Sequence, residues 1–108
     1  QASFFFITPE AYDIAAVKPK WSTEKTNFFE NTITEFEKFQ TWEASELESF
    51  FKGAINESGM KMGELMMPFR IMLVGGKFGP DVFQIVQLLG KEEVIARVKK
   101  ALIAFTAE

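Results

Sequence analysis

The chain has 108 residues, enough for one domain or for two small subdomains that share a core. With 47% apolar and 25% charged residues it can fold around a real interior. It contains no Cys and no His, which excludes a disulfide framework, thiolate chemistry and imidazole catalysis.

Any catalysis would have to rest on carboxylates or lysines, and no pair of these is marked out by its neighbours. Thirteen Phe against one Tyr point to a Phe-packed interior, because Phe fills a core without needing a hydrogen-bond partner. No apolar run reaches the ~20 residues of a membrane helix. Phe4–Ile7 lacks the basic start and the length of a signal peptide. The start at Gln1 rather than Met suits a piece of something longer. Net charge is −3, unevenly spread: residues 1–50 carry nine acids and four bases, residues 51–108 six acids and eight bases. A polyanion is therefore expected at the C-terminal half.

Phe4–Ile7 reads as a short extended segment. Thr8-Pro9-Glu10 opens a short helix through about Val17, with Pro9 in its first turn. Pro19 ends it, since the residue before a proline avoids the helical region. A hydroxyl cap at Ser22 or Thr23, with Glu24 in the first turn, starts a helix to about Gln40. Phe28, Phe29, Ile33, Phe36 and Phe39 form its stripe. A second helix runs from about Ala44 to Glu57, striped by Leu47, Phe50, Phe51, Ala54 and Ile55, and stops at Ser58-Gly59. These two helices are expected to pack as a hairpin around Trp42.

Gly63 to Val74 reads as a nearly all-apolar third helix. Pro68 either kinks it or marks the start of a new one. Gly75-Gly76 ends it. Gly79-Pro80 opens a fourth helix, Asp81 to Leu89, with Pro at or near its first position. Gly90 stops that helix. A fifth, about Lys91 to Ala107, sets Val94, Val98, Ala101, Leu102 and Phe105 on one face, with Arg97, Lys99 and Lys100 largely off it. The fold class is all-α: about five main helices in two small helical subdomains, 1–58 a hairpin and 59–108 distal.

Arg70 is the only charged residue from Leu65 to Gly76. Burying a guanidinium without a partner is costly. Arg70 must snorkel to the surface, pair with an acid elsewhere, or meet a ligand. Gly75-Gly76-Lys77-Phe78-Gly79 has the glycines and lysine of a phosphate loop, but it lacks the GxxxxGK[ST] spacing and the preceding strand. It reads better as a helix stop. Lys61-Met62-Gly63 is similar to the start of a Lys-Met-Ser-Lys loop but lacks its Ser-Lys, and reads as coincidence.

Taken together, Met67-Pro68-Phe69-Arg70, Val74-Gly75, Gly79-Pro80 and Leu88-Leu89-Gly90-Lys91-Glu92-Glu93 follow a familiar order. The run resembles the C-terminal anticodon-binding region of bacterial glutamyl-tRNA synthetases. There a Pro-Leu-Arg segment leads through Thr-Gly and Gly-Pro turns to a helix ending in Leu-Gly-Lys-Glu. Lys18-Pro19-Lys20-Trp21 is similar to a Lys-rich segment ending in Trp in the same family. The resemblance is strongest over 61–93 and implies a role for the chain in reading tRNA. Carried over by position, it implies anticodon contacts at Arg70, Gly79, Pro80 and Val82. Gly79 and Val82 replace the family's usual Thr and Leu, which removes a hydroxyl and shortens an apolar contact. Lys77, Lys61, Lys99 and Lys100 are candidate phosphate contacts. Asp81 opposes a phosphate at its helix end, so a base rather than backbone is expected there. Leu-Gly-Lys-Glu is expected to be a helix junction that touches nothing.

The resemblance implies a cytoplasmic, monomeric parent, a class I glutamate–tRNA ligase. It would charge tRNA(Glu) with glutamate using ATP and Mg²⁺, through a catalytic domain elsewhere on the same chain. The fragment itself is expected to hold no catalytic residue, cofactor or metal and to meet no membrane, since the family's His-Ile-Gly-His signature needs histidines. The alternative is a helical protein-interaction module whose Met-rich stretch, Met60 to Met72, forms a partner groove.

Overall fold

A computed structural model describes residues 12, 17–75 and 81–106. The expected extended segment at Phe4–Ile7 and most of the helix expected to end at Val17 lie outside the described residues. Five α-helices follow a 3₁₀ turn at Lys18–Lys20. They are α1 (Thr23–Glu37), α2 (Ala44–Ser58), α3 (Met62–Val74), α4 (Val82–Leu89) and α5 (Lys91–Thr106). No strand occurs among the described residues, and the all-α expectation holds.

Local signals set most of the helix ends. Ser22 caps α1, its hydroxyl oxygen accepting the Lys25 N–H at 3.3 Å. The helix stops at Glu37, short of the expected Gln40, because Lys38 and Phe39 fold back onto the Glu35 and Phe36 carbonyls. Such i→i−3 bonds tighten a last turn and satisfy carbonyls that would otherwise be orphaned. Gly59 (φ 80°) and Gly75 (φ 88°) end α2 and α3 in the left-handed region that glycine enters without penalty. Helix α3 runs unbroken through Pro68, so no new helix begins there. Helix α4 starts one residue later than expected: Asp81 is its cap, with Oδ1 accepting the Phe83 and Gln84 N–H groups at 2.8 and 3.4 Å.

Helix α5 lies against both α1 and α3, while α2 packs chiefly on α4. The α1–α2 contact expected of a hairpin is slimmer than either. The Trp42 ring meets Phe36 at 5.4 Å, and its indole N–H donates to the Val86 carbonyl of α4 at 2.9 Å. Ala44 N–H donates to the Gln87 side chain at 2.7 Å. The link between α1 and α2 is thus tied to α4, and one core joins the residues on either side of Ser58.

Phe69 is the hub of that core. Its ring lies 4.5 Å from Phe51, 6.0 Å from Phe29, 6.4 Å from Phe36 and 6.2 Å from Phe83, so α3 meets rings from α1, α2 and α4. Trp21 stacks on Phe29 at 6.0 Å and meets Phe105 edge-on at 5.1 Å, joining α1 to α5. The methionines do not form one groove: Met72 is fully buried, Met66 and Met67 are half-buried, and Met62 is 43% exposed.

One polar position corrects the sequence reading of α5. Arg97 is 1% exposed and sits within the buried face, not off it. It lies three residues after Val94 and four before Ala101, the spacing that keeps residues on one helical face.

Candidate nucleic-acid interface

The end of α3 separates two neighbours. Phe69 points into the ring cluster, and the next residue is rotated about 100° around the helix. Arg70 is therefore half-buried, while Ile71, Met72, Leu73 and Val74 are all buried. Its guanidinium is the cation carried by this end of the helix, five positions before Gly75. Gly75 closes the helix by donating its N–H to the Ile71 carbonyl at 2.7 Å.

Across the turn, Asp81 fills the N-terminus of α4 with its own carboxylate. A phosphate has no place at that helix end, because the amides it would use are already bonded to an anion. Val82 is 3% exposed and belongs to the core. The apolar contact that the resemblance implies for Val82 thus falls on a buried side chain, which anchors the first turn of α4 beneath the surface. Gly79, Pro80 and Lys77 lie outside the described residues.

Arg97 reaches the same region from below. Its Nε donates to Glu93 Oε2 at 2.7 Å, and its Nη1 donates to the Leu73 carbonyl at 2.7 Å. Nη2 is buried with no hydrogen-bond partner among the described residues, as is the Tyr12 hydroxyl. Burial pushes the Tyr12 phenol above its ordinary value of 10.0, and the nearby positive charge of Arg97 opposes that rise. The sequence carried one sign of this residue, the Glu93–Arg97 pair at i,i+4 beside an apolar stripe.

The candidate phosphate contacts scatter. Lys61 is exposed at the start of α3, where its N–H donates to Glu64 Oε1 at 3.1 Å. It lies nine positions before Arg70, about 14 Å along the helix axis. Lys99 lines the seam between α5 and α1 with Glu30 and Glu37, an acidic setting. Lys100 is exposed on α5. A groove of about 610 Å³ between α1 and α2 carries Glu24, Glu35 and Glu57 and no base among its lining residues. That wall repels a polyanion and leaves the α3–α4 end as the better approach.

Lys91, in the junction between α4 and α5, makes contacts within the fold. Its ammonium donates to the Glu37 carbonyl at 3.2 Å and to the Phe39 carbonyl, closing the end of α1. A cation there also meets the negative end of the helix dipole.

Residues 1–102 match the family model described as an anticodon binding domain. The chain is 36% identical over 101 residues to a glutamate–tRNA ligase of Flavobacterium johnsoniae, covering 94% of this chain and 20% of that protein. To one from Christiangramia forsetii it is 37% identical over 103 residues, again 94% of this chain and 20% of the relative. The crystal structure of a glutamate tRNA ligase from Elizabethkingia meningosepticum, in complex with its amino acid, superposes with a TM-score of 0.86 at 32% identity. That match covers 97% of this chain and 21% of the other. The chain thus spans about a fifth of the length of the relatives it matches. With the family model matched from residue 1 to residue 102 of 108, the chain belongs to the anticodon binding domain family.

Proposed function

We propose that this domain grips the anticodon loop of tRNA(Glu) as the distal part of a glutamate–tRNA ligase, with Arg70 reading a base. The observation that carries the reading is the place of Arg70: a half-buried guanidinium on the last turns of α3, next to a glycine-ended turn and a helix end closed to phosphate. Unpaired anticodon bases can be splayed out, stacked on a guanidinium plane and bonded along their edges. Gly79 and Pro80 would complete the pocket with close backbone approach and a flat apolar surface, and Val82 would support it from the core.

The parent would be a cytoplasmic monomer that joins glutamate to its tRNA with ATP and Mg²⁺. Among the described residues no group of three or more His, Cys, Asp or Glu could hold a metal ion. The catalytic domain would lie elsewhere on the parent chain. Binding energy gathered at the anticodon could then raise the charging rate as well as affinity.

The test is charging by the full-length protein that carries this domain. Arg70→Ala is expected to lose about 1–3 kcal/mol of discrimination between tRNA(Glu) and an anticodon-substituted tRNA(Glu). Equal loss on both RNAs would overturn base reading. Absence of tRNA binding by the unaltered full-length protein would overturn the whole reading.

A further inference from the structure

We propose that Arg97 is the positioning residue for base reading: it holds the end of α3, and with it Arg70 and the entry to α4, in the geometry the anticodon meets. This rests on the reading that Arg70 and the turn after it touch the anticodon.

The first argument is chemical. A guanidinium that is 1% exposed, with Nη2 buried and unpartnered among the described residues, is an expensive way to fill a core. An unbranched apolar side chain would occupy the same space without that cost. Packing alone therefore does not account for an arginine at this position.

The second is geometric. Leu73 is the penultimate residue of α3, so no amide of that helix reaches its carbonyl. The Gly75 N–H goes to Ile71 instead. Arg97 Nη1 meets the Leu73 carbonyl at 2.7 Å from a different helix. Leu73 follows Arg70 by three residues, less than one turn. Fixing the Leu73 carbonyl thereby fixes the rotation and rise of the turn that carries Arg70. The guanidinium also offsets the negative end of the α3 dipole, which would otherwise face an approaching RNA.

The third is connectivity. Helix α5 begins at Lys91, directly after α4, and packs against both α3 and α4. Glu93, in its first turn, holds Arg97 Nε at 2.7 Å. One helix therefore references both sides of the segment between Gly75 and Asp81.

The experiment uses the full-length ligase with Arg97→Met, Arg70→Ala and the double variant. Charging of cognate and anticodon-substituted tRNA(Glu) is measured alongside amide hydrogen exchange in the free enzyme. Arg97→Met is expected to lose about tenfold in discrimination, mainly through KM for tRNA. Exchange should quicken at Val74, Gly75 and the first turn of α4 and stay unchanged in α2. The double variant should discriminate no worse than Arg70→Ala, because the two residues act as one unit. A merely structural role predicts equal losses on both RNAs and additive effects, and that outcome overturns the proposal. Full discrimination by Arg97→Met, with Arg70→Ala impaired, overturns the positioning role alone. Full discrimination by Arg70→Ala overturns base reading and the positioning role with it. Glu93, whose side chain is 39% exposed, supplies the variant for the case in which Arg97→Met does not fold. Glu93→Gln loosens the guanidinium and should shift discrimination and exchange in the same direction, and an unchanged value in both overturns the proposal.

Discussion

Phe69 and Arg70 stand next to each other and do opposite work. Phe69 is fully buried among rings from three other helices, and its neighbour is turned toward the surface. Truncating the hub leaves a cavity that those rings cannot close. Phe69→Ala is expected to cost about 3–5 kcal/mol, read as a lower denaturant midpoint. That is a large share of the ~5–15 kcal/mol that holds a typical domain together. The role of Phe69 was legible because it sits in an apolar run in a Phe-rich chain. That of Arg97 was less so. Its face follows from periodicity, but its burial depends on a carbonyl 24 residues earlier in the chain. Val82 shows the same limit in reverse: a first-turn valine can face either way until the helices that flank it are placed.

At the scale of elements, the helix ends are where local chemistry and tertiary contact meet. Ser22, Gly59, Gly75 and Gly90 end or begin helices for reasons contained in a few adjacent residues. The segment Gly90-Lys91-Glu92-Glu93 does more than join α4 to α5. Lys91 closes the last carbonyls of α1, and Glu93 holds the arginine that closes α3. Two helix ends far apart in sequence are thus pinned by one junction. Lys91→Met keeps the stem and removes the donor. It is expected to cost about 1 kcal/mol and to raise hydrogen exchange at Lys38, Phe39 and Gln40, with the α3 end unaffected. No exchange change in that segment would show that the α1 end holds itself. The role of Lys91 could not be read from local spacing, because its partners lie more than fifty residues away.

Across the whole molecule, charge is sorted by half. The N-terminal residues 1–50 sum to −5 and residues 51–108 to +2. The structure keeps Glu24, Glu35 and Glu57 together along the α1–α2 groove, while Lys99 shares the α1–α5 seam with Glu30 and Glu37. Cations that neutralise phosphate release counterions, so affinity for tRNA should fall as salt rises. If Lys61 meets a phosphate, Lys61→Gln in the full-length protein should lower the slope of log K against log salt by about 1. It should also weaken binding equally for cognate and anticodon-substituted tRNA. An unchanged slope removes Lys61 from the interface.

The sequence by itself determined what short-range physics controls. Helical stripes, hydroxyl and carboxylate caps, and glycines at left-handed positions depend on residues a few places apart, and they yield the five helices and the all-α class. The run from Met67 to Glu93 also carried the family resemblance. The tertiary structure decided which polar side chains go inside and what they hold. Arg97 on Leu73 and Lys91 on Glu37 join residues from different helices, and Trp42 on Val86 joins the α1–α2 link to α4. Such pairings exist only once packing has brought the helices together, because burial makes an unpaired polar group costly and so selects the partner.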